Sequence, residues 1–229
     1  MLARIPIFIV ARGNNELNIK KNKEALKFSY VFIKSMNLFK QTYIISDNPD
    51  MLDYAIRLGF EHTLYQECKD DYDLNHLQYT SIYNFAVKHN YYPDWFILLS
   101  IDALFINSAL IANCIKNIDY NFDVITSYSE ITNNSKFILD DNDKLIPNVT
   151  RITNEKNRQK LVDSTIYAIS SRFAIECMQS DDPINYFWNG KFKFFKNMSV
   201  YTDIYEYNDI DKFKYIGNII EEVKKINIE

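Results

Sequence analysis

The first hundred residues alternate between short apolar runs and amphipathic segments, and this alternation restricts the fold more than any other feature. The first run, Ile5 to Ala11, is rich in β-branched residues and leads into the polar segment Arg12–Asn15. It predicts a strand buried on both faces. A helical period follows over Lys23 to Asn37, and a second strand is predicted over Thr42 to Ser46. Strands and helices in this order predict an α/β protein with a parallel sheet and right-handed crossovers.

The alternation continues to the most apolar part of the chain. Asp47–Asp50 predicts a turn whose carboxylate caps a helix over Met51 to Leu58, and Gly59 ends that helix. A third helix is predicted over His76 to His89. The run Trp95 to Ile101 is the most hydrophobic strand, so we expect it at the centre of the sheet. Asp102 follows it, at the edge where open α/β sheets bind ligands.

From Phe122 onward the crossover pattern gives way to short apolar strands and a predicted hairpin turn over 140–143. We expect residues 122–165 to form a small β-rich excursion that serves as a flap or a dimer contact. A helix is predicted around Ser171 to Gln179, and an amphipathic closing helix over Asp211 to Lys225. A length of 229 residues fits one domain over 1–229.

Composition and charge exclude several classes of protein. The formal charge is −4 and no long run of Lys or Arg is present, which argues against a duplex nucleic-acid partner. No segment approaches the roughly 20 apolar residues of a membrane span, and the start lacks a small-residue cleavage site, so we expect a cytoplasmic protein. The three Cys and three His form no ligand pattern. We therefore expect the cysteines to be inert packing residues and no His-based metal site.

The polar turn after the first strand is a candidate anion site. Gly13 is one of only four glycines, and Arg12 precedes it while Asn14 and Asn15 follow. Gly and Asn tolerate positive φ and leave backbone N–H groups exposed, as a phosphate cradle requires. Cations and an amide follow at Lys20, Lys21 and Asn22. An ordinary loop with solvated lysines is the alternative, since neither a Walker loop nor a GxGxxG fingerprint is present.

A pair of carboxylates near the C-terminus is a candidate metal site. Asp209 and Asp211 are separated by one residue, and both can face one hard cation when the backbone between them is extended. Mg²⁺ prefers such oxygen ligands together with phosphate oxygens. Asp102, beyond the central strand, is positioned in the sequence to join the same site. The alternative is that the pair caps the closing helix.

Several segments together resemble a known family. Ile7–Asn14, continued by Lys21-Asn22, is similar to the ARGGSK…KN opening of the acylneuraminate cytidylyltransferases, the enzymes that make CMP-sialic acid and related CMP-nonulosonates. Further similar segments follow in the same order: Leu38-Phe39 and Ile44–Asp47 (LF…VVSTD), Leu98-Leu99 (LLQPTSPL), Ile166-Tyr167 (NGAIY) and Asp209–Asp211 (DID). The resemblance spans nearly the whole chain.

The resemblance implies a nucleotide-diphospho-sugar transferase-like (GT-A type) Rossmann-like sandwich, Mg²⁺, CTP and a homodimer. It implies that an acceptor oxygen attacks the α-phosphorus of CTP and that pyrophosphate leaves. Its opening motif assigns nucleotide binding to Ala11, Arg12, Gly13, Asn14, Asn15, Lys21 and Asn22, and its central strand adds Ser100. It assigns metal ligation to Asp209 and Asp211, which Asp102 is expected to join because of its place after the central strand, and catalytic roles to Arg12, Lys21 and Asp211.

The chain departs from the family at positions that meet both substrates. The family's Ser-Lys is Asn15-Glu16 here, which weakens triphosphate binding unless Lys20, Lys156 or Arg158 compensates. The RPNG segment becomes Leu161–Ser164, so a bidentate Arg contact to the acceptor carboxylate is lost. The acceptor is therefore expected to be an acidic sugar or similar molecule rather than sialic acid itself. Two other hypotheses stay open: a GT-A glycosyltransferase that uses a sugar nucleotide, and a non-catalytic relative with a binding or dimerisation role.

Overall fold

The computed structural model describes residues 5–67, 82–101, 103, 108–131, 137–139, 145–147, 159–197 and 210–226. The strands are β1 Ile7–Val10, β2 Thr42–Ser46, β3 His62–Tyr65, β4 Trp95–Leu99, β5 Val124–Ile131, β6 Phe137–Leu139, β7 Leu145–Pro147, β8 Gln159–Ser170 and β9 Phe192–Lys196. The helices are α1 Glu16–Met36, α2 Pro49–Leu58, α3 over residues 82–89, α4 Ser108–Lys116, α5 Ser171–Gln179, α6 Pro183–Trp188 and α7 Ile210–Lys224.

In the part of the chain that the structure describes, seven strands form the central sheet in the order β3-β2-β1-β4-β8-β5-β9. All neighbouring pairs are parallel except those of β8, which runs antiparallel to both β4 and β5. The predicted mainly parallel α/β sheet is confirmed. β4 is the fourth of the seven strands, so its predicted central position is also confirmed. The short antiparallel pair β6–β7 joins the sheet through β8.

Helices cover both faces of the sheet. On one face Ile9, Ile44 and Ile97 pack in a core that includes Leu26 of α1 and Leu58 of α2. On the other face lie the side chains that alternate with these. This second core includes Phe8, Tyr43, Ile45, Phe96, Val124 and Ile169 from the strands and Ile82, Phe85, Phe173 and Cys177 from the helices. Burial on both faces explains why the sequence of these strands reads as continuous apolar runs.

Helix α1 begins at Glu16, seven residues earlier than the sequence predicts. Asn15 is its N-cap, with the side-chain Oδ1 accepting from the Asn18 N–H at 2.8 Å. The first two turns carry few apolar residues, so the hydrophobic period does not reveal them. Lys20, Lys21 and Asn22 consequently lie on a helix rather than in a loop.

The start of α2 also differs from the prediction, although its end does not. The N-cap is Asn48, whose side chain accepts from the Asp50 N–H at 2.8 Å, and the helix begins at Pro49. The capping group is thus an amide oxygen rather than a carboxylate. Gly59 ends the helix with φ 109°, in the left-handed region that favours glycine, as predicted.

Past β4 the sequence prediction is less complete. Helix α4 was not predicted, whereas α5 over Ser171–Gln179 is confirmed and β6 and β7 pair as the predicted hairpin. The turn at 140–143 and most of 150–160 lie outside the described residues. The single domain over 1–229 and the flap or dimer role of 122–165 stay predictions. Among the helices that the structure describes, none is long and apolar enough to cross a membrane.

Candidate active site

Three polar segments lie side by side at the carboxyl edge of the sheet, where the parallel strands β1, β2 and β4 end. The register pairs Val10 of β1 with Ile45 of β2, and Ile9 of β1 with Leu99 of β4. Because these strands are parallel, the segments that follow them meet at one edge. These segments are the β1–α1 loop (Ala11–Asn15), the β2–α2 turn (Asp47-Asn48) and the turn after β4 that begins at Ser100.

The β2–α2 turn holds the β1–α1 loop through three contacts. The Gly13 N–H donates to Asp47 Oδ1 at 2.7 Å, and Arg12 Nε donates to Asp47 Oδ2 at 3.5 Å. The Asn48 amide donates from Nδ2 to the Gly13 carbonyl at 3.0 Å. Both polar groups of the Gly13 backbone are therefore paired within the protein. This differs from the expectation that the glycine N–H is exposed for a phosphate.

The core side of the loop is held by β2 and α1. The Ala11 N–H donates to the Ile45 carbonyl at 2.8 Å, and Asn22 donates from Nδ2 to the Arg12 carbonyl at 2.7 Å. Ala11 is fully buried, and Asn22 is also buried. The structure thus places Asn22 beside the loop, as predicted. Its side-chain amide N–H, however, donates to the Arg12 carbonyl from the buried side of the loop.

The exposed part of the loop consists of Asn14, Asn15 and the N-terminus of α1. Asn18 of the first turn donates from Nδ2 to Asn14 Oδ1 at 2.6 Å, which fixes the Asn14 side chain. The first-turn N–H groups and the helix dipole favour an anion at this point. Glu16, at the first helical position, places a negative charge at the same end. Its charge interacts favourably with the helix dipole and so stabilises the helix, but it repels a bound phosphate.

The two lysines of α1 occupy different sides of the helix. At about 100° per residue, Lys21 lies about 100° from the buried Asn22, whereas Lys20 lies about 160° from it. Both are exposed. Because Asn22 contacts the β1–α1 loop, Lys21 is the nearer of the two to the loop side of the helix. Lys21 as the cation of the site stays a prediction, and Lys156 and Arg158 lie outside the described residues.

The remaining predicted residues are placed only in part. The Ser100 N–H donates to the Thr165 carbonyl at 2.9 Å, and its carbonyl accepts from the Ala103 N–H at 3.1 Å, which forms a tight turn at the site edge. Asp102 and Asp209 lie outside the described residues, and Asp211 is described only by its place in the first turn of α7. Within the described part of the chain, no three metal-ligating side chains cluster. Helix α7 begins at Ile210, the residue between the two carboxylates, so the extended backbone on which the paired-carboxylate argument depends is not found there. The metal site stays a prediction, and so does the capping alternative.

Asp47 and Asn48 are the site residues to which sequence reasoning assigned no role in the loop. Asp47 belongs to the segment that resembles the family's second strand, and both residues were interpreted as a turn before α2. The signal that could have identified them is their position directly after a strand adjacent to β1. Adjacent parallel strands bring their following residues into contact, so the turn after β2 must meet the loop after β1.

Comparison with known proteins places the chain by its fold. No protein-family model matches the sequence, and no curated protein is similar to it in sequence. Among solved structures, CMP:2-keto-3-deoxy-manno-octonic acid synthetase in complex with CTP superposes with a TM-score of 0.59 at 15% identity, over 84% of this chain and 89% of that one.

Two further solved structures match over nearly the whole chain. The 4-diphosphocytidyl-2C-methyl-D-erythritol synthase of Anaerococcus prevotii gives a TM-score of 0.57 at 11% identity, over 94% of this chain and 96% of that one. A glucose-1-phosphate thymidylyltransferase of Bacillus anthracis gives 0.57 at 12% identity, over 98% and 97%. The chain therefore has the Rossmann-like α/β fold shared by these nucleotidyltransferases.

Proposed function

We propose that the chain is a CTP-dependent nucleotidyltransferase that transfers CMP to an acidic sugar or a similar acceptor. The proposal places the reaction in surface polysaccharide or glycoconjugate biosynthesis, with a homodimer as the active form. The observation that carries it is the braced β1–α1 loop at the carboxyl edge of the parallel sheet. Neighbours with the same fold include a synthetase in complex with CTP and a cytidylyltransferase of Leptospira borgpetersenii, with a TM-score of 0.53 at 12% identity over 99% of each chain.

In the proposed reaction an acceptor oxygen forms a bond to the α-phosphorus of CTP, and the bond from that phosphorus to the bridging oxygen breaks. Pyrophosphate leaves with the electron pair, and the proton of the attacking oxygen passes to solvent. Arg12 and Lys21 would hold the phosphates and balance the charge that develops on the leaving group. The exposed N-terminus of α1 would meet the phosphates with its backbone N–H groups. Positioning and charge neutralisation then supply most of the rate enhancement.

The metal is part of the proposal. The carboxylates of Asp209 and Asp211, joined by Asp102, are oxygen donors of the kind that fits Mg²⁺. Bound there, Mg²⁺ would neutralise phosphate charge. Glu16 places a negative charge at the N-terminus of α1 and opposes phosphate binding there. The positive charge of Mg²⁺ is therefore needed in addition to that of Lys21.

The first test is ligand-dependent thermal stability of the purified protein. We expect CTP with Mg²⁺ to raise the unfolding midpoint selectively over UTP, ATP, GTP and CMP, since a ligand at about 100 times its Kd adds roughly 2.7 kcal/mol. Stabilisation by a UDP- or GDP-sugar instead would favour the glycosyltransferase hypothesis. An absence of any shift across the panel would favour the non-catalytic relative.

The second test assigns the chemistry to residues. We expect Lys21→Ala and Asp211→Asn each to abolish pyrophosphate release from CTP in the presence of an acceptor, while the protein stays folded. Lys20→Ala is the matched control, because it removes the same charge from a neighbouring position that lies farther around α1 from Asn22, and we expect it to retain activity. Near-normal turnover in both Lys21→Ala and Asp211→Asn would contradict the assignment.

A further inference from the structure

The Asp47 carboxylate contacts both the Gly13 backbone and the Arg12 guanidinium of the β1–α1 loop. Asp47 accepts from the Gly13 N–H through Oδ1 at 2.7 Å and from Arg12 Nε through Oδ2 at 3.5 Å. The side chains of Asp47 and Arg12 are 6% and 11% exposed. A carboxylate as buried as this needs a partner at each oxygen, and a guanidinium so placed needs a counter-charge.

The neighbouring residue completes the hold on the loop. Asn48 donates to the Gly13 carbonyl from Nδ2 while its Oδ1 caps α2, so the loop is tied to the first turn of a helix. The loop therefore receives its shape from elements outside it, before any ligand is present. A loop preformed in this way does not lose conformational entropy again when it binds a ligand, and its donors are already oriented.

Asp47 lies where it would not compete directly with a bound phosphate for the loop. The carboxylate lies on the buried side of the loop, whereas Asn14 and Asn15 form the exposed side. An incoming triphosphate would approach from the exposed side. We propose that Asp47 is a positioning residue of the nucleotide site: by holding the Gly13 N–H and Arg12, it orients Arg12 and the exposed side of the β1–α1 loop for the triphosphate; this inference rests on the proposed function.

The first experiment measures the contact itself. The chain has four glycines, so a sample labelled with ¹⁵N-glycine gives four backbone amide signals. We expect the Gly13 amide to exchange with solvent about tenfold faster or more in Asp47→Ala, because a hydrogen bond to a charged acceptor is removed. Asp47→Asn keeps an oxygen acceptor and should retain most of the protection. Unchanged exchange in Asp47→Ala would overturn the inference.

The second experiment measures the consequence for the ligand. We expect Asp47→Ala to bind CTP roughly tenfold to a hundredfold more weakly by calorimetric titration, since the charge-assisted contact that orients Arg12 is lost. Asp47→Asn should fall between Asp47→Ala and the unchanged protein. Asp50→Asn is the matched control, because it removes an exposed carboxylate from the same turn and should bind CTP normally.

The outcomes separate positioning from structure and from the proposed function. Unchanged CTP affinity in a folded Asp47→Ala protein, or tighter binding in Asp47→Asn, would overturn the inference. Asp47→Asn carries the test if Asp47→Ala does not fold. If the unchanged protein binds no CTP, the proposed function fails, and titration with inorganic pyrophosphate then decides in the same variants whether Asp47 positions the loop for anions.

Discussion

Gly13 is required for a different reason than its place in a turn predicts. The sequence suggested a positive φ, but among the described glycines only Gly59 has one. A methyl group at Gly13 would instead collide with Cβ of Asn48 and lie 2.8 Å from its Cγ. The close approach of the β2–α2 turn therefore excludes a side chain here, and this is a tertiary constraint that no local pattern contains.

We expect Gly13→Ala to destabilise the protein by about 1–3 kcal/mol, because the added methyl group forces Asn48 away from the loop. It should also weaken CTP binding, since Asn48 and Asp47 then lose their contacts with the loop. Urea unfolding and CTP titration measure the two effects. Gly217→Ala is the control: nothing lies within 4 Å of that position in α7, and Ala should be neutral or stabilise by up to about 1 kcal/mol. Equal effects of the two substitutions would contradict the packing argument.

The cysteines that the structure describes behave as the composition predicts. Cys114 and Cys177 are both buried, and neither forms a disulfide bond. Burial raises the pKa of the Cys114 thiol to about 12, so the group stays protonated and unreactive near neutral pH. Both pack in the core, one on each face of the sheet. Cys68 lies outside the described residues.

At the scale of the elements, Asn15 connects the fold of α1 with the function of the loop. Its side chain caps the helix, and its position is exposed at the edge where an anion would bind. We expect Asn15→Ala to cost about 1 kcal/mol of unfolding free energy through loss of the cap. Asn15→Asp keeps a capping oxygen and should preserve stability, but its charge should weaken CTP binding several-fold.

Chemical denaturation and CTP titration of the two variants separate the roles of Asn15. Normal CTP affinity in Asn15→Asp would mean that the exposed side of the loop does not meet phosphates. A loss of stability in Asn15→Asp as large as that in Asn15→Ala would contradict the capping role.

The sequence predicts best the elements that have a clear local pattern of apolar and polar residues. β2 has the predicted bounds of Thr42–Ser46, and α5 has the predicted Ser171–Gln179. The start of α1 was missed because capping at Asn15 is a side-chain contact, with few apolar residues beside it. The antiparallel direction of β8 was also not predicted. Its partners, β4 and β5, are distant in sequence, and strand direction is decided by the chain's path rather than by residue pattern.

For the whole molecule we predict a homodimer in solution. The resemblance implies this state, and the excursion over 122–165 is where we expect the contact. Size-exclusion chromatography with light scattering should give about twice the mass of the chain, and dilution should not shift it in the micromolar range. A monomer mass at all concentrations would contradict the prediction, although it would leave the proposed nucleotide site within one chain unaffected.

The sequence by itself determined the α/β class, the central position of β4 and the location of a polar loop after β1, because burial leaves a periodic record along the chain. It also marked Arg12 and Gly13 by their place after the first strand, and Lys21 through the resemblance to the cytidylyltransferase opening motif. Only the tertiary structure decided that Gly13 is fixed by Asp47 and Asn48 and that α1 begins at Glu16. These facts depend on which strands are neighbours and where a helix starts, and both are set by contacts between residues far apart in the sequence.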